Sequence, residues 1–66
     1  MAKYMYRVTA EIPQLPSPRA FQSVEVAASK FAVAAYRGLA AILKRREVKG
    51  RHLQTIKLEI LRQGKI

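Results

Sequence analysis

The stretch Tyr4-Met5-Tyr6-Arg7-Val8-Thr9-Ala10-Glu11-Ile12 decides the fold. Tyr6, Val8, Ala10 and Ile12 fall on one side of an extended chain, and Met5, Arg7, Thr9 and Glu11 fall on the other. That period of two predicts a strand with one buried face. Pro13, Pro16 and Pro18 follow at once. Proline brings no ladder donor, so the strand stops there and Pro13 to Pro18 forms an extended connector. The segment has the composition of a PxxP ligand, but a loop joining two strands is the simpler reading.

Working outward, Ala20 to Val26 is a second strand, in which the β-branched Val24 and Val26 share a face with Gln22 while Phe21 lies opposite. The alternation is imperfect and leaves room for a bulge near Phe21. A helix starting at Ser23 competes, but the valine pair and the later Ser29 favour the strand. Ser29 offers an N-cap for a helix running to about Lys49, with Gly50 as the left-handed residue that closes it. On a helical wheel Phe31, Ala32, Ala35, Tyr36, Leu39, Ile42 and Leu43 form one broad face, predicted to meet the sheet. Lys30, Ala34, Arg37, Ala41, Lys44 and Arg45 lie opposite. A last strand from Leu53 to Arg62 alternates Ile56, Leu58 and Ile60 with Thr55, Lys57, Glu59 and Leu61, and Gln63 to Ile66 reads as a loose tail.

The order strand, strand, helix, strand predicts a single α+β domain over 1–66. A hairpin and a right-handed crossover give a three-stranded antiparallel sheet ordered 2-1-3, with the amphipathic helix on one face. The other face stays open, as antiparallel sheets tolerate. At 66 residues there is one small core, and only about 60% of the unfolded surface can be buried.

Thirteen Lys and Arg stand against four acidic residues, all glutamate, giving a net charge of +9. Such an excess draws polyanions, nucleic acid first among them and acidic proteins after. There is no cysteine, so neither a disulfide framework nor a thiolate zinc site is expected. The N-terminus has no apolar signal region, and the longest apolar stretch, Phe31 to Leu43, is broken by Arg37. A soluble, cytoplasmic protein is expected. A surface-bound amphipathic helix is disfavoured because its apolar face is needed for the core and the opposite face lacks aromatic anchors.

The chemistry these residues offer is electrostatic. Lys44, Arg45, Arg46, Lys49 and Arg51 crowd the predicted helix end and the following turn. Cations there stabilise the helix dipole, but five together repel one another, so phosphate contact explains the crowding better. Lys30, Arg37 and Lys44 recur every seventh residue and extend the track at intervals of about 10 Å. Tyr6 and Tyr36 belong to the predicted inner faces, which leaves phosphate-led binding with little base readout. RNA is placed slightly ahead of DNA. Catalysis and cofactors are not expected: four scattered glutamates and a lone His52 give no acid–base pair or metal set. The alternative is a protein-binding module, regulatory or of mobile-element type, that uses the open sheet face and the positive patch against an acidic partner. An unpaired sheet edge also allows a homodimer.

The element order resembles the archaeal ribosomal protein LX family. The likeness rests on Tyr6-Arg7-Val8, on Pro18-Arg19-Ala20-Phe21, and on Val48-Lys49-Gly50-Arg51-His52-Leu53 leading into Ile56-Lys57-Leu58-Glu59-Ile60. The helix departs from the family, being Ala-rich with Arg37-Gly38 at its middle. The resemblance implies the ββαβ fold and an RNA partner in a ribosomal-type or accessory role.

Overall fold

The computed structural model describes residues 2–51 and 53–66. The chain forms β1 (Tyr4–Glu11), β2 (Phe21–Ala28), α1 (Phe31–Leu43) and β3 (Lys57–Lys65). The three strands make an antiparallel sheet in the order β2-β1-β3 with the helix on one face. The α+β fold and the strand order are those expected. Tyr6, Val8, Ala10 and Ile12 are all buried, so the alternation of β1 fixes which face receives the helix.

The helix meets that face in a different rotation from the one its hydrophobicity predicts. Ala34, Gly38 and Ile42 are buried, whereas Phe31 is 53% exposed and Tyr36 77%. Leu43 and Ala32 also face outward. The helix is turned by roughly 100° from the predicted phase. The reason is steric. Gly38 lies directly over Val8, and a Cβ built on it would stand 2.5 Å from the Val8 Cβ. Gly38, with Ala34 one turn before it, lets the helix axis approach the sheet, and the bulky aromatic stripe cannot.

That rotation carries two arginines to the β2 edge. Arg37 donates to the Ala27 carbonyl at 2.8 Å, and Arg45 donates to the Ser23 carbonyl at 2.6 Å. Ile12 N–H donates to the Ala20 carbonyl at 2.7 Å. Because bonding alternates along an antiparallel pair, the even-numbered residues of β2 bond β1 and the odd ones face outward. Ser23 and Ala27 are therefore edge carbonyls. Ser23 and Ala27 are about 13 Å apart along the strand, a spacing spanned by Arg37 on the helix and Arg45 just past its end.

Several boundaries differ from expectation. The helix ends at Leu43, not Lys49, and its N-cap is Lys30, with no side-chain cap bond, not Ser29. Thirteen residues already span about 20 Å, most of the length of the strand beneath. The chain then folds into successive turns, with Arg45 N–H on the Ile42 carbonyl and Lys49 N–H on the Arg45 carbonyl. These turns deliver Val48 to the core beside Ile12, Leu15 and Ile42. Gly50 does take a left-handed φ of 84°, at the end of the turns rather than of the helix.

The proline segment is not an extended connector. It folds into turns in which Leu15 N–H bonds the Ile12 carbonyl and the Leu15 side chain is buried. Gln54 N–H donates to the Gln14 side-chain oxygen at 2.8 Å, tying this loop to the approach to β3. No bulge occurs near Phe21. The β1–β2 register is unbroken there, and the irregularity lies between Met5 and Tyr6 against β3. The predicted tail is ordered instead: Gln63 to Lys65 belong to β3, and Ile66 N–H bonds the Lys3 carbonyl. An aromatic chain closes this end. Arg62 sits 4.8 Å over the Tyr4 ring, Tyr4 meets Tyr6 edge-on, and Tyr6 meets Phe31 at 5.1 Å.

Replacing Gly38 by Ala tests the contact that sets the helix phase. Ala is the better helix former by about 1 kcal/mol, yet overpacking against Val8 should leave a net loss of about 1–3 kcal/mol in urea unfolding. Adding Val8→Ala should make the Gly38→Ala step less costly than it is alone. Tyr36→Ser should leave stability within about 0.5 kcal/mol, because the ring lies outside the core.

Candidate nucleic-acid interface

The sheet register separates the charges of the molecule. Residues of β1 that alternate with the buried ones point to the open face, together with their cross-strand partners. Arg7 stands opposite Glu25, Thr9 opposite Glu59, and Glu11 opposite Lys57. Three of the four glutamates thus share the open face, and of the strand cations only Arg7 and Lys57 join them. Gln63, turned so that its amide nitrogen meets Glu25 and its oxygen meets Arg7, links charges across all three strands. A shallow depression on this face is lined by Thr9, Glu11, Phe21, Lys57, Leu58 and Glu59. The open face is close to neutral, and the positive excess lies with the helix, the turns after it and the chain ends.

The predicted contact residues divide by what their side chains already do. Lys30 at the helix start and Lys44 at its end are exposed. Arg37 is exposed and shares the outer flank with them, although one of its nitrogens is used on the Ala27 carbonyl. Arg46 and Lys49 are exposed on the turns that Val48 anchors. Arg51 is exposed too and donates through Nε to the Glu47 carbonyl at 2.8 Å.

Arg45 differs from the other six. It is half-buried, and its two terminal nitrogens donate to the Gln22 side-chain oxygen at 2.9 Å and to the Ser23 carbonyl. Gln22 is only 6% exposed and passes the network on, donating from its own amide to the Arg19 carbonyl at 2.7 Å. Arg45 therefore fastens the helix end to the edge of β2. Its charge adds to the local potential, but its donors face inward.

Sequence reasoning missed two features of this region. Val48 is the apolar pin on which the basic turns are mounted, and a lone valine inside a charge run gives little warning of that role. Tyr36, expected in the core, stands exposed immediately before Arg37. Its ring stands about 100° around the helix from Arg37, beside the track rather than on it. His52 lies outside the described residues. Among the described residues no group of His, Cys, Asp and Glu is arranged to hold a metal ion, and no helix is long and apolar enough to cross a membrane.

In comparisons with known proteins, the chain matches no family model, no curated protein and no solved structure.

The division among the arginines is measurable. Arg45→Ala strips the buried Gln22 oxygen of its donor and should cost about 1–3 kcal/mol of stability. Arg46→Ala should stay within about 0.5 kcal/mol of the parent. Urea titration of the two variants checks both values.

Proposed function

We propose that this chain is a nucleic-acid-binding module that grips a phosphate backbone along the outer flank of α1 and the turns beyond it. The single observation that carries this reading is the segregation of charge. The open sheet face is balanced, while Lys30, Arg37, Lys44, Arg46, Lys49 and Arg51 point outward along one flank and its continuation. Charges mounted on a helix and on turns pinned by a buried valine are pre-positioned, so less side-chain entropy is lost on binding than on a disordered basic tail. Arg supplies forked contacts to phosphate, and Lys supplies mobile point charges. Tyr36 adds a surface for an unpaired base to stack on. That favours RNA or single-stranded DNA over a duplex, and the resemblance to ribosomal proteins puts RNA first.

The exposed apolar residues require one competing partner to be tested alongside. Phe31, Tyr36 and Leu43 are partly or largely exposed, so the helix presents apolar side chains to solvent beside its basic stripe, as membrane-surface helices do. The test is fluorescence anisotropy with single- and double-stranded RNA and DNA over a salt series, run beside sedimentation with vesicles rich in phosphatidylserine. With about five phosphates neutralised, log K should fall against log salt with a slope of about −3.5 to −4.5. Arg46→Ala with Lys49→Ala should weaken binding and reduce that slope by about 1.4–1.8. Binding to vesicles with none to nucleic acid, or an affinity indifferent to salt, would overturn the proposal.

A further inference from the structure

The two edges of the sheet are treated differently. At the β2 edge the outward carbonyls of Ser23 and Ala27 are occupied by Arg45 and Arg37, so a strand arriving there would have to displace two charged hydrogen bonds. The β3 edge has no such cover among the described residues. By the alternation that assigns the even residues of β1 to β2, its odd residues bond β3, through Thr9 opposite Glu59 and Arg7 opposite Leu61. The N–H and C=O groups of Leu58, Ile60 and Arg62 therefore face outward, within a strand nine residues long. β3 carries charged side chains and the irregularity opposite Met5 and Tyr6, both of which temper an edge, but among the described residues nothing is bonded to its outward main chain as the two arginines are to β2.

The surroundings of the β3 edge favour an added strand. Arg37 holds one side of the helix at β2, and Leu39 lies about 200° away around the axis, so it faces β3. Leu58 is 39% exposed on the helix-covered face, and Leu61 is 55% exposed on the open face. The middle of the edge thus carries a leucine on each face, with Glu59 between Lys57 and Leu61 on the open face. Its ends are basic, with Lys57 at one and Arg62 and Lys65 at the other.

We infer that the β3 edge is a docking site for an extended segment of an acidic partner protein, added as a fourth strand with apolar residues at its centre and carboxylates at its ends. Charge selects this occupant over a second copy of the chain. Pairing two copies would join bodies that each carry +9. An acidic segment meets the same cations with the opposite sign. Its main chain supplies the missing partners of Leu58, Ile60 and Arg62, and its inward side chains cover Leu58. This surface is separate from the basic turns, and neither site requires the other.

The probe is a short blocked peptide of alternating valine and threonine with two glutamates at each end, followed by amide NMR of the full chain. Binding should shift the amides of Leu58, Ile60 and Arg62 and slow their hydrogen exchange. Replacing the glutamates by lysine, or N-methylating alternate valines, should abolish those effects. Leu58→Pro removes an outward N–H without touching the β1 ladder. It should weaken peptide binding about fivefold or more while leaving RNA binding as in the parent, as expected for the loss of one or two main-chain hydrogen bonds. If Leu58→Pro disturbs the fold, the N-methylated peptide makes the same comparison on the unmodified chain. Shifts confined to the basic turns, equal response to the lysine peptide, or concentration-dependent shifts of the edge amides without peptide would each overturn the inference. The last of these outcomes would assign the edge to a second copy.

Discussion

The contact of Gly38 with Val8 is the constraint from which the rest of the arrangement follows. A helix can lie this close to a sheet only where no side chain intervenes, and at Gly38 even a methyl group would collide. Once that glycine is seated, the phase of every other helical residue is fixed. Ala34 and Ile42 go inward with it, one turn to either side. Arg37 and Arg45 swing to the β2 edge, and Tyr36 is forced into solvent. Apolar side chains gain about 25 cal/mol per Å² from burial, and this packing leaves several large ones partly unburied. Steric fit over the central strand outweighs the area that the aromatic face would have covered.

The same phase explains why a basic helix flank has both structural and electrostatic work to do. A guanidinium has five donors. Arg37 and Arg45 use some of them on β2 carbonyls, where a neighbouring strand would otherwise bond, and Arg45 also holds the side chain of Gln22. Hydrogen bonding to a carbonyl does not discharge an arginine. The field along the flank therefore still includes these two, while close contact falls to the side chains whose donors remain outward. The charges of the open sheet face are arranged to cancel, with Arg7, Glu25 and Gln63 linked across the strands, so nothing on that side offsets the potential of the helix side.

How much of this was legible in the sequence follows from which forces are local. The strands could be read because burial on one face imposes a period of two, and Tyr6, Val8, Ala10 and Ile12 satisfy it without exception. The chain order then restricted the sheet to 2-1-3. The helix was legible as an element but not in its phase, because a hydrophobic wheel ranks residues by apolarity and ignores volume. Ala34, Gly38 and Ile42, spaced by four, carried the signal, and a search for the smallest stripe would have found it. Leu15 and Val48 were hidden because each is a single apolar residue in a polar or proline-rich turn, buried only by where the chain travels afterwards. The basic cluster was visible as a charge run. Which of its members is tied inward depends on the β2 carbonyls and the buried Gln22, a relation across more than twenty residues of sequence.

The net charge links the two surfaces through ionic strength. An open strand edge flanked by Leu58 and Leu61 invites self-association, and no arginine guards it as Arg37 and Arg45 guard β2. What opposes pairing of identical chains is mutual repulsion between bodies of +9, which acts over a Debye length of about 10 Å at 0.1 M salt and about 3 Å at 1 M. In the proposed readings the same long-range field is what would draw phosphate to the helix flank and an acidic segment to the edge, and it too fades with salt. A single electrostatic term therefore promotes association with anions and prevents association with copies of the chain. Neutralising the basic flank, whether by substitution or by a bound polyanion, lowers the barrier to self-pairing at β3 even though that flank never touches the strand. Charge on one side of the helix is in this sense part of the protection of the edge on the other.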